Sequence, residues 1–164
     1  MNGEERSYKS ILFVCDANTC RSPMAEVILK ELLSKHEGEG AAQIKVRSGG
    51  IGSHARDNSL FSLDAKLTVK EKGYIPSEEI FSRDLSIHTD MIEDSDLILT
   101  MTEVQKERVL KLQVAKDKEV ETLKEFVGEN GDIADPRGGD DEIYDKCFNE
   151  IKSCLDKLVE KILP

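Results

Sequence analysis

The sequence predicts a three-layer αβα fold in which helices cover both faces of a central four-stranded parallel sheet. Residues 11–14 form a short apolar run of the kind found in strands that are buried on both faces. Such runs alternate with helical segments of roughly 10 to 15 residues, which is typical of βαβ units. The four strands are predicted at residues 10–14, 43–47, 96–101 and 120–123.

The first strand leads into a loop and then into a helix, predicted at residues 23–36. Pro23 suits the first turn of that helix, and Glu26 suits its positively polarised end. In a loop between strand and helix, backbone N–H groups converge on one point and favour an anion there. Ligands of parallel α/β sheets bind outside the carboxyl ends of the strands, which is where this loop lies. The residues predicted to surround the anion are Asp16, Ala17, Asn18, Thr19, Cys20, Arg21 and Ser22.

The remaining elements follow the same alternation. The glycine-rich residues 48–53 are interpreted as a loop that passes close to the anion-binding loop, because glycines let two backbones approach each other. Thr102 is expected to cap the helix that follows the third strand. The later helices are predicted at residues 63–72, 86–95, 103–112 and 142–163. The apolar stripe of the last helix is expected to face the core.

Length and composition limit the range of functions. The 164 residues fit one domain, with residues 1–9 expected to be a flexible charged leader. The formal net charge of −10 disfavours nucleic acid and anionic membranes as partners. A signal peptide or a long apolar run is not recognised, so a cytoplasmic location is expected. Four cysteines without metal-type spacing favour thiol chemistry in a reducing compartment, and neither a metal nor a cofactor is expected.

Cys15 and Arg21 are separated by five residues, a spacing that suits nucleophilic attack on a phosphoryl group. Free cysteine has a pKa of about 8.5, so its reactive thiolate needs support from a helix N-terminus, loop amides and a cation. The planar guanidinium of Arg21 can also bind two phosphoryl oxygens through the transition state. Ser22 can donate a hydrogen bond to the sulfur. The alternative is a packing cysteine and a surface arginine, which the strand and helix on either side disfavour.

The motif V-C-x-x-N-x-C-R-S-P-M-A-E, residues 14–26, resembles the signature of the low-molecular-weight protein tyrosine phosphatases. The resemblance implies hydrolysis of phosphorylated protein side chains through a phosphocysteine intermediate, with phosphotyrosine as the family's usual substrate. Inorganic phosphate would be product and inhibitor. Ser48 falls where the family keeps a serine that supports the loop. Ala17 replaces a common glycine, so Asn18, which tolerates a left-handed backbone, is expected to define the loop's shape.

The resemblance also implies a brace and a general acid. The family often has a histidine that braces the loop asparagine, but Ile80 takes that position here, and His88 is interpreted as a residue at a helix start. A tyrosine leaving group has a pKa of about 10 and needs protonation. Asp135 is the candidate acid, because Asp135-Pro136 matches the family's acid loop and proline favours an extended residue before it. Asp132 is the alternative acid. The pair Asp140 and Asp141 fits the start of the last helix.

Features around the cleft leave the substrate side chain open. Thr19 and the stretch D-P-R-G-G, residues 135–139, resemble the protein-arginine phosphatase branch. Arg137 would be unfavourable beside a guanidinium, although Asp16 at the rim can offset it. Cys20 is close enough to Cys15 for a disulfide, and in the family this pairing protects the nucleophile. A packing role is the alternative for Cys20.

Two other classes use a similar loop. Arsenate reductases of this fold relay a disulfide to cysteines just after the third strand, where residues 101–105 contain none. Cys147 and Cys154 lie far along the chain from that position. The second alternative is a phosphate-binding module without turnover, which is disfavoured because the nucleophile, the arginine and the acid are all present.

Overall fold

The computed structural model describes residues 7–38, 40–76 and 79–163, and it confirms the predicted α/β fold. The strands are β1 Ser10–Cys15, β2 Lys45–Gly50, β3 Leu97–Thr100 and β4 Glu119–Thr122. The helices are α1 Arg21–Lys35, α2 Leu63–Glu71, α3 Thr89–Glu93, α4 Glu103–Leu110, α5 Leu123–Phe126 and α6 Asp141–Ile162. All strand pairs are parallel in the order β2-β1-β3-β4, so β1 is central.

Alternate residues of β1 point to opposite faces of the sheet, and both faces are covered, which explains why residues 11–14 are all apolar. Ile11 and Phe13 belong to a buried cluster with α1, α2, α5 and α6, whereas Leu12 and Val14 belong to a second cluster with α3 and α4. All four side chains are inaccessible to solvent. Each contributes roughly 1.5–3 kcal/mol by burial. The carboxyl end of β1 is therefore held between two layers of helices.

The boundary predicted for the second strand is wrong. Residues 48–50, predicted as the start of a loop, belong to β2 and pair in register with residues 13–15 of β1. The glycines suit this place because there is no room for a side chain: a Cβ atom at Gly49 would lie 2.5 Å from the side chain of Leu85. Contacts with distant residues thus extend a strand that β-propensity alone would end.

The helix predicted at residues 86–95 is shorter in the structure and consists of α3 alone. Before it, the backbone N–H and the hydroxyl of Ser86 both donate to Oδ1 of Asp84. These bonds fold the chain into a local turn, which competes with helix formation. His88 occupies the N-cap position of α3, which confirms its predicted place at a helix start.

Residues 7–9, the described part of the predicted leader, contact the core. The Tyr8 ring packs edge-on against Phe126 at 5.9 Å, and its hydroxyl donates to Glu119. The backbone N–H of Lys9 donates to Asp96. Residues 1–6 of that leader lie outside the described residues. Among the described helices, none combines the length and apolar character that a bilayer span requires.

Candidate active site

The predicted anion-binding loop lies at the carboxyl end of β1, between the last residue of β1, Cys15, and the first residue of α1, Arg21. It forms the floor of a cleft of about 370 Å³. Loop residues that line the cleft are Cys15, Asp16, Ala17, Thr19, Cys20 and Arg21. The walls are formed by Gly52, Ser53, His54, Ala55, Val104, Arg108, Asp135 and Arg137. The sheet therefore brings the candidate nucleophile, arginine and acid to one cleft.

The sulfur of Cys15 faces a hydrogen-bonding hydroxyl. Cys15 is 3% exposed, and its Sγ lies 2.9 Å from Oγ of Ser22. Nδ2 of Asn18 donates to the same Oγ at 2.8 Å. Because the Ser22 oxygen accepts from Asn18, its hydroxyl proton is free to point at the sulfur. The Ser22 hydroxyl is thereby placed as a hydrogen-bond donor to the sulfur.

Arg21 connects the anion-binding loop with the loop that carries Asp135. The side chain is only 3% exposed, although it borders the cleft. One terminal nitrogen donates to the carbonyl of Ile133 at 2.8 Å. The other lies 3.3 Å from Oδ2 of Asp16 and 3.8 Å from Oδ2 of Asp135. The guanidinium is thus fixed at the mouth of the loop, with donors available to an anion.

Asn18 defines the shape of the loop through its backbone and its side chain. Its φ of 61° is left-handed, which suits asparagine better than most residues. Nδ2 donates to Oγ of Ser48 at 2.9 Å, and Oδ1 accepts the backbone N–H of Arg83 at 3.0 Å. Ser48 in turn donates to the buried carboxylate of Glu26 at 2.6 Å. The group that braces Asn18 in place of the family's histidine is therefore the backbone N–H of Arg83. This role requires no particular side chain at residue 83.

Neither Ile80 nor His88 replaces the family's bracing histidine. Ile80 packs against the larger hydrophobic cluster. Nε2 of His88 lies 2.7 Å from Oδ2 of Asp57, whose Oδ1 accepts the backbone N–H of Asp84 at 2.8 Å. The hydrogen bond from the Asp84 backbone, and to a smaller extent the one with His88, lower the pKa of the Asp57 carboxyl. His88 therefore supports the segment next to Arg83 and acts on the loop only indirectly.

The Ser48 hydroxyl is expected to contribute measurably to stability. Ser48→Ala removes the acceptor for Asn18 and the donor to Glu26, both of which are buried. Leaving such groups without partners costs about 1–3 kcal/mol in the free energy of unfolding. Denaturant titration measures this loss, and Ser153→Ala on the exposed face of α6 is the matched control. Equal unfolding midpoints for the two variants would contradict the proposed brace.

The segment after β2 packs its backbone directly on the anion-binding loop, as the glycine pattern predicts. The backbone N–H of Ile51 donates to the carbonyl of Cys15 at 3.0 Å, and that of Gly52 to the carbonyl of Asp16 at 2.9 Å. A Cβ atom at Gly50 would lie 2.8 Å from the Asp16 carbonyl oxygen. The carbonyls of Cys15 and Asp16 are thus both bonded to the segment after β2, which holds the start of the loop against that segment.

The candidate acids occupy different environments. Asp135 borders the cleft with its side chain 46% exposed, and its Oδ1 accepts the backbone N–H of Arg137 at 3.0 Å. Asp132 accepts the backbone N–H of Glu103 at 2.9 Å, so it caps the start of α4 and does not line the cleft. Asp140 is the N-cap of α6, as predicted. Geometry therefore favours Asp135 as the group that can reach a leaving atom.

The four cysteines are free thiols with different surroundings. Cys20 lines the cleft, and burial raises its pKa, while a hydrogen bond with Ser62 partly offsets this rise. Cys147 on α6 lies below the acid loop, with Sγ 3.9 Å from the carbonyl of Ala134. Burial raises the pKa of the Cys147 thiol to about 12, so it is not a nucleophile near neutral pH. Within the described ranges, no group of three metal-binding side chains is present.

Gln105 is a site residue that the sequence analysis missed. The side chain is fully buried; Oε1 accepts the backbone N–H groups of Met101 and Thr102, each at 3.0 Å, and Nε2 donates to Oδ1 of Asp16 at 3.1 Å. Thr102-x-x-Gln105 is a capping box and was visible as a sequence pattern. Its bond to Asp16 was not visible, because the two residues are 89 positions apart. His54, Val104 and Arg108 of the cleft wall were likewise not predicted as site residues, because no local sequence pattern places them there.

Comparison with known proteins agrees with this geometry. Residues 10–163 match the family model described as low molecular weight phosphotyrosine protein phosphatase. The chain is 38% identical over 154 residues to a protein-arginine-phosphatase from Geobacillus stearothermophilus, covering 93% of this chain and 95% of the relative. It is 34% identical over 152 residues to the low molecular weight protein-tyrosine-phosphatase PtpB from Staphylococcus aureus, covering 93% and 98%.

A solved structure of a YwlE arginine phosphatase mutant with a phosphorylated active-site serine superposes with a TM-score of 0.82 at 32% identity, covering 93% of this chain and 95% of that one. The family model spans nearly the whole described chain, and both relatives exceed 30% identity over almost their full length. The chain therefore belongs to the low molecular weight phosphotyrosine protein phosphatase family and is a cysteine-dependent phosphatase.

Proposed function

We propose that this phosphatase hydrolyses phosphoarginine in proteins. The observation that carries the proposal is the composition of the cleft: among the described residues that line it there is no phenylalanine, tyrosine or tryptophan. A phenol ring would therefore find no aromatic side chain to stack on. The walls offer charged and hydroxyl groups instead, with Thr19 in the loop and Arg137 after the Asp-Pro pair. The 38% identity with a protein-arginine-phosphatase supports the same substrate.

In the proposed first step, the Cys15 thiolate attacks phosphorus, and the bond from phosphorus to the guanidine nitrogen breaks. Asp135, as a carboxylic acid, gives its proton to the departing nitrogen. Arg21 and the loop amides hold the phosphoryl oxygens as charge develops on them. The phosphorylated active-site serine in the solved structure of the YwlE mutant supports a covalent phosphoryl intermediate on the nucleophile.

In the second step, the Asp135 carboxylate takes a proton from water, and the water oxygen attacks phosphorus. The bond between phosphorus and sulfur breaks, phosphate leaves, and Ser22 stabilises the released thiolate. The phosphate formed here fits the same loop, so we propose that it inhibits by competition. The substrate is a phosphorylated protein, and we propose a cytoplasmic location because the four thiols are free.

Asp135→Ala is expected to slow the reaction according to the leaving group. Guanidine and unactivated phenols are poor leaving groups, so kcat for phosphoarginine and phosphotyrosine should fall by roughly 10²- to 10⁴-fold. A nitrophenyl phosphate needs little protonation, so its first step should survive, and a burst of nitrophenol should precede slow hydrolysis of phosphocysteine. Stopped-flow absorbance measures the burst.

Asp132→Ala is the matched control in the same loop. It removes a helix cap and should cost about 0.5–2 kcal/mol in the free energy of unfolding, with little change in kcat. If Asp132→Ala shows the leaving-group dependence and Asp135→Ala does not, the acid is assigned to the wrong residue.

The substrate is tested by comparing two peptides that differ only in carrying phosphoarginine or phosphotyrosine. We expect kcat/KM to favour phosphoarginine, measured as released phosphate. A preference for phosphotyrosine would overturn the proposed substrate while leaving the family mechanism intact.

We also propose that Cys20 forms a disulfide with Cys15 after oxidation. Mass spectrometry of the peroxide-treated protein tests that pairing, and a sulfinic acid on Cys15 without the disulfide would contradict it.

A further inference from the structure

Asp16 is a carboxylate in the loop that binds an anionic phosphoryl group, where its charge opposes binding. We infer that Asp16 determines specificity: its carboxylate binds the guanidinium of phosphoarginine, and Gln105 holds it in position for that contact. This inference rests on the proposed function, and it concerns recognition of the leaving group rather than the chemical step. It is carried by three features, which are the partners of Asp16, its place in the cleft and the other charges there.

Gln105 allows Asp16 few orientations. The amide oxygen of Gln105 already accepts two backbone N–H groups, so its NH₂ group must point the other way, toward Oδ1 of Asp16 at 3.1 Å. Gln105 is fully buried and sits in the first turn of α4. With three of its four possible hydrogen bonds made in a buried setting, this amide has little freedom to turn. One carboxylate oxygen of Asp16 is thereby fixed to the protein frame.

The second oxygen of Asp16 lies beside Arg21, at the border of the cleft. Oδ2 is 3.3 Å from Arg21, and the Asp16 side chain is 56% exposed at the border of the cleft. When the Arg21 fork binds phosphoryl oxygens, Oδ2 has to share or lose this partner. A phosphoguanidinium brings N–H donors directly beside phosphorus and replaces the lost bond. A phenol ring has no donor there, so Asp16 would be left beside an apolar ring and a phosphoryl anion.

The charges around the cleft make this carboxylate necessary. Arg21, Arg108 and Arg137 all line the cleft and repel a guanidinium. Among the described lining residues, Asp16 and Asp135 are the carboxylates that oppose them. Asp135 must carry a proton in the first step and is then neutral. Asp16 is therefore the group that keeps a negative charge beside the substrate guanidinium during the attack.

Asp16→Asn tests the inference, because it keeps the size of the side chain and removes the charge. For a phosphoarginine peptide, kcat/KM should fall by roughly 10- to 100-fold, the range expected for one charged hydrogen bond. For a nitrophenyl phosphate, kcat/KM should rise, because a negative charge beside the phosphoryl anion has gone. Asp117→Asn, on the exposed turn before β4, is the control with the same charge change. It should match the wild type on both substrates.

Gln105→Glu tests the positioning role. It keeps an acceptor for the two backbone N–H groups but replaces the donor to Asp16 by a repulsive oxygen. We expect a rise in KM for phosphoarginine with little change in kcat, and no further loss when Asp16→Asn is combined with it. Additive losses would show that Gln105 acts on stability alone and would overturn its positioning role.

The main outcomes separate this inference from the proposed function. If the wild type does not hydrolyse phosphoarginine, the proposed substrate is wrong. If the wild type does, and Asp16→Asn slows both substrates equally, Asp16 acts on Arg21 and does not select the leaving group. Unchanged kinetics on both substrates would also overturn the inference. A loss confined to phosphoarginine supports it.

Discussion

Cys15→Ser should reduce turnover by roughly 10⁶-fold, the order found when a catalytic nucleophile is removed from an enzyme. A serine hydroxyl is far less acidic than a thiol. The hydrogen bond from Ser22, 2.9 Å from the sulfur in the wild type, is not enough to ionise a hydroxyl in its place. In the proposed mechanism the anion is held by backbone amides and Arg21, which this substitution leaves in place, so phosphate or vanadate should still bind. Isothermal titration calorimetry measures that binding, and release of phosphate measures turnover.

The matched control for this variant is Cys154→Ser, which changes a buried cysteine of α6 that is not part of the cleft. Its kcat should stay within a factor of a few of the wild type. Appreciable turnover by Cys15→Ser would mean that another residue is the nucleophile. Loss of phosphate binding together with turnover would instead show that the loop had collapsed, which a thermal melt would reveal.

Arg21→Lys should lose both substrate affinity and rate, although the charge is kept. A lysine ammonium is a point charge and cannot bind two phosphoryl oxygens in one plane. It also cannot donate to Ile133 while it stays near Asp16 and Asp135, so the link between the two loops is broken. We expect kcat to fall by roughly 10²- to 10³-fold, as for other groups that stabilise a developing anion. KM for a nitrophenyl phosphate should rise as well.

Arg56→Lys provides the comparison, because Arg56 is exposed next to the cleft wall and does not line the cleft. Its kinetics should equal those of the wild type. If Arg21→Lys stays within a factor of a few of the wild type in kcat and KM, Arg21 does not hold the phosphoryl group. Steady-state kinetics at several phosphate concentrations would also show whether product inhibition weakens with the same variant.

The cysteine loop could be predicted because its information is local. An apolar strand, a short turn and a helix with proline in its first turn are consecutive in the sequence. This order predicts a loop whose backbone N–H groups point toward one site. The αβα architecture followed from the same local alternation. Asp135 was predicted because Asp135-Pro136 resembles a family motif. Composition alone cannot single out one catalytic acid among 33 acidic residues.

Other parts of the site depend on residues that are distant in the sequence. The amide that braces Asn18 comes from residue 83, and Gln105 reaches Asp16 across 89 positions. Asp132 and Asp135 share one loop, yet only the packing of that loop against α4 makes the first a helix cap and the second part of the cleft wall. β2 likewise extends to Gly50 because β1 offers it partners.

Thus the sequence by itself determined the fold class, the order of the elements and the loop that joins Cys15 to Arg21, because periodicity, capping and turn chemistry act between near neighbours. Only the tertiary structure decided what braces the loop, which aspartate reaches the cleft and how Asp16 is held. Hydrogen bonds between distant residues carry no local pattern: any backbone amide can serve at residue 83, and a glutamine in a capping box looks the same whether or not its NH₂ group has a second partner.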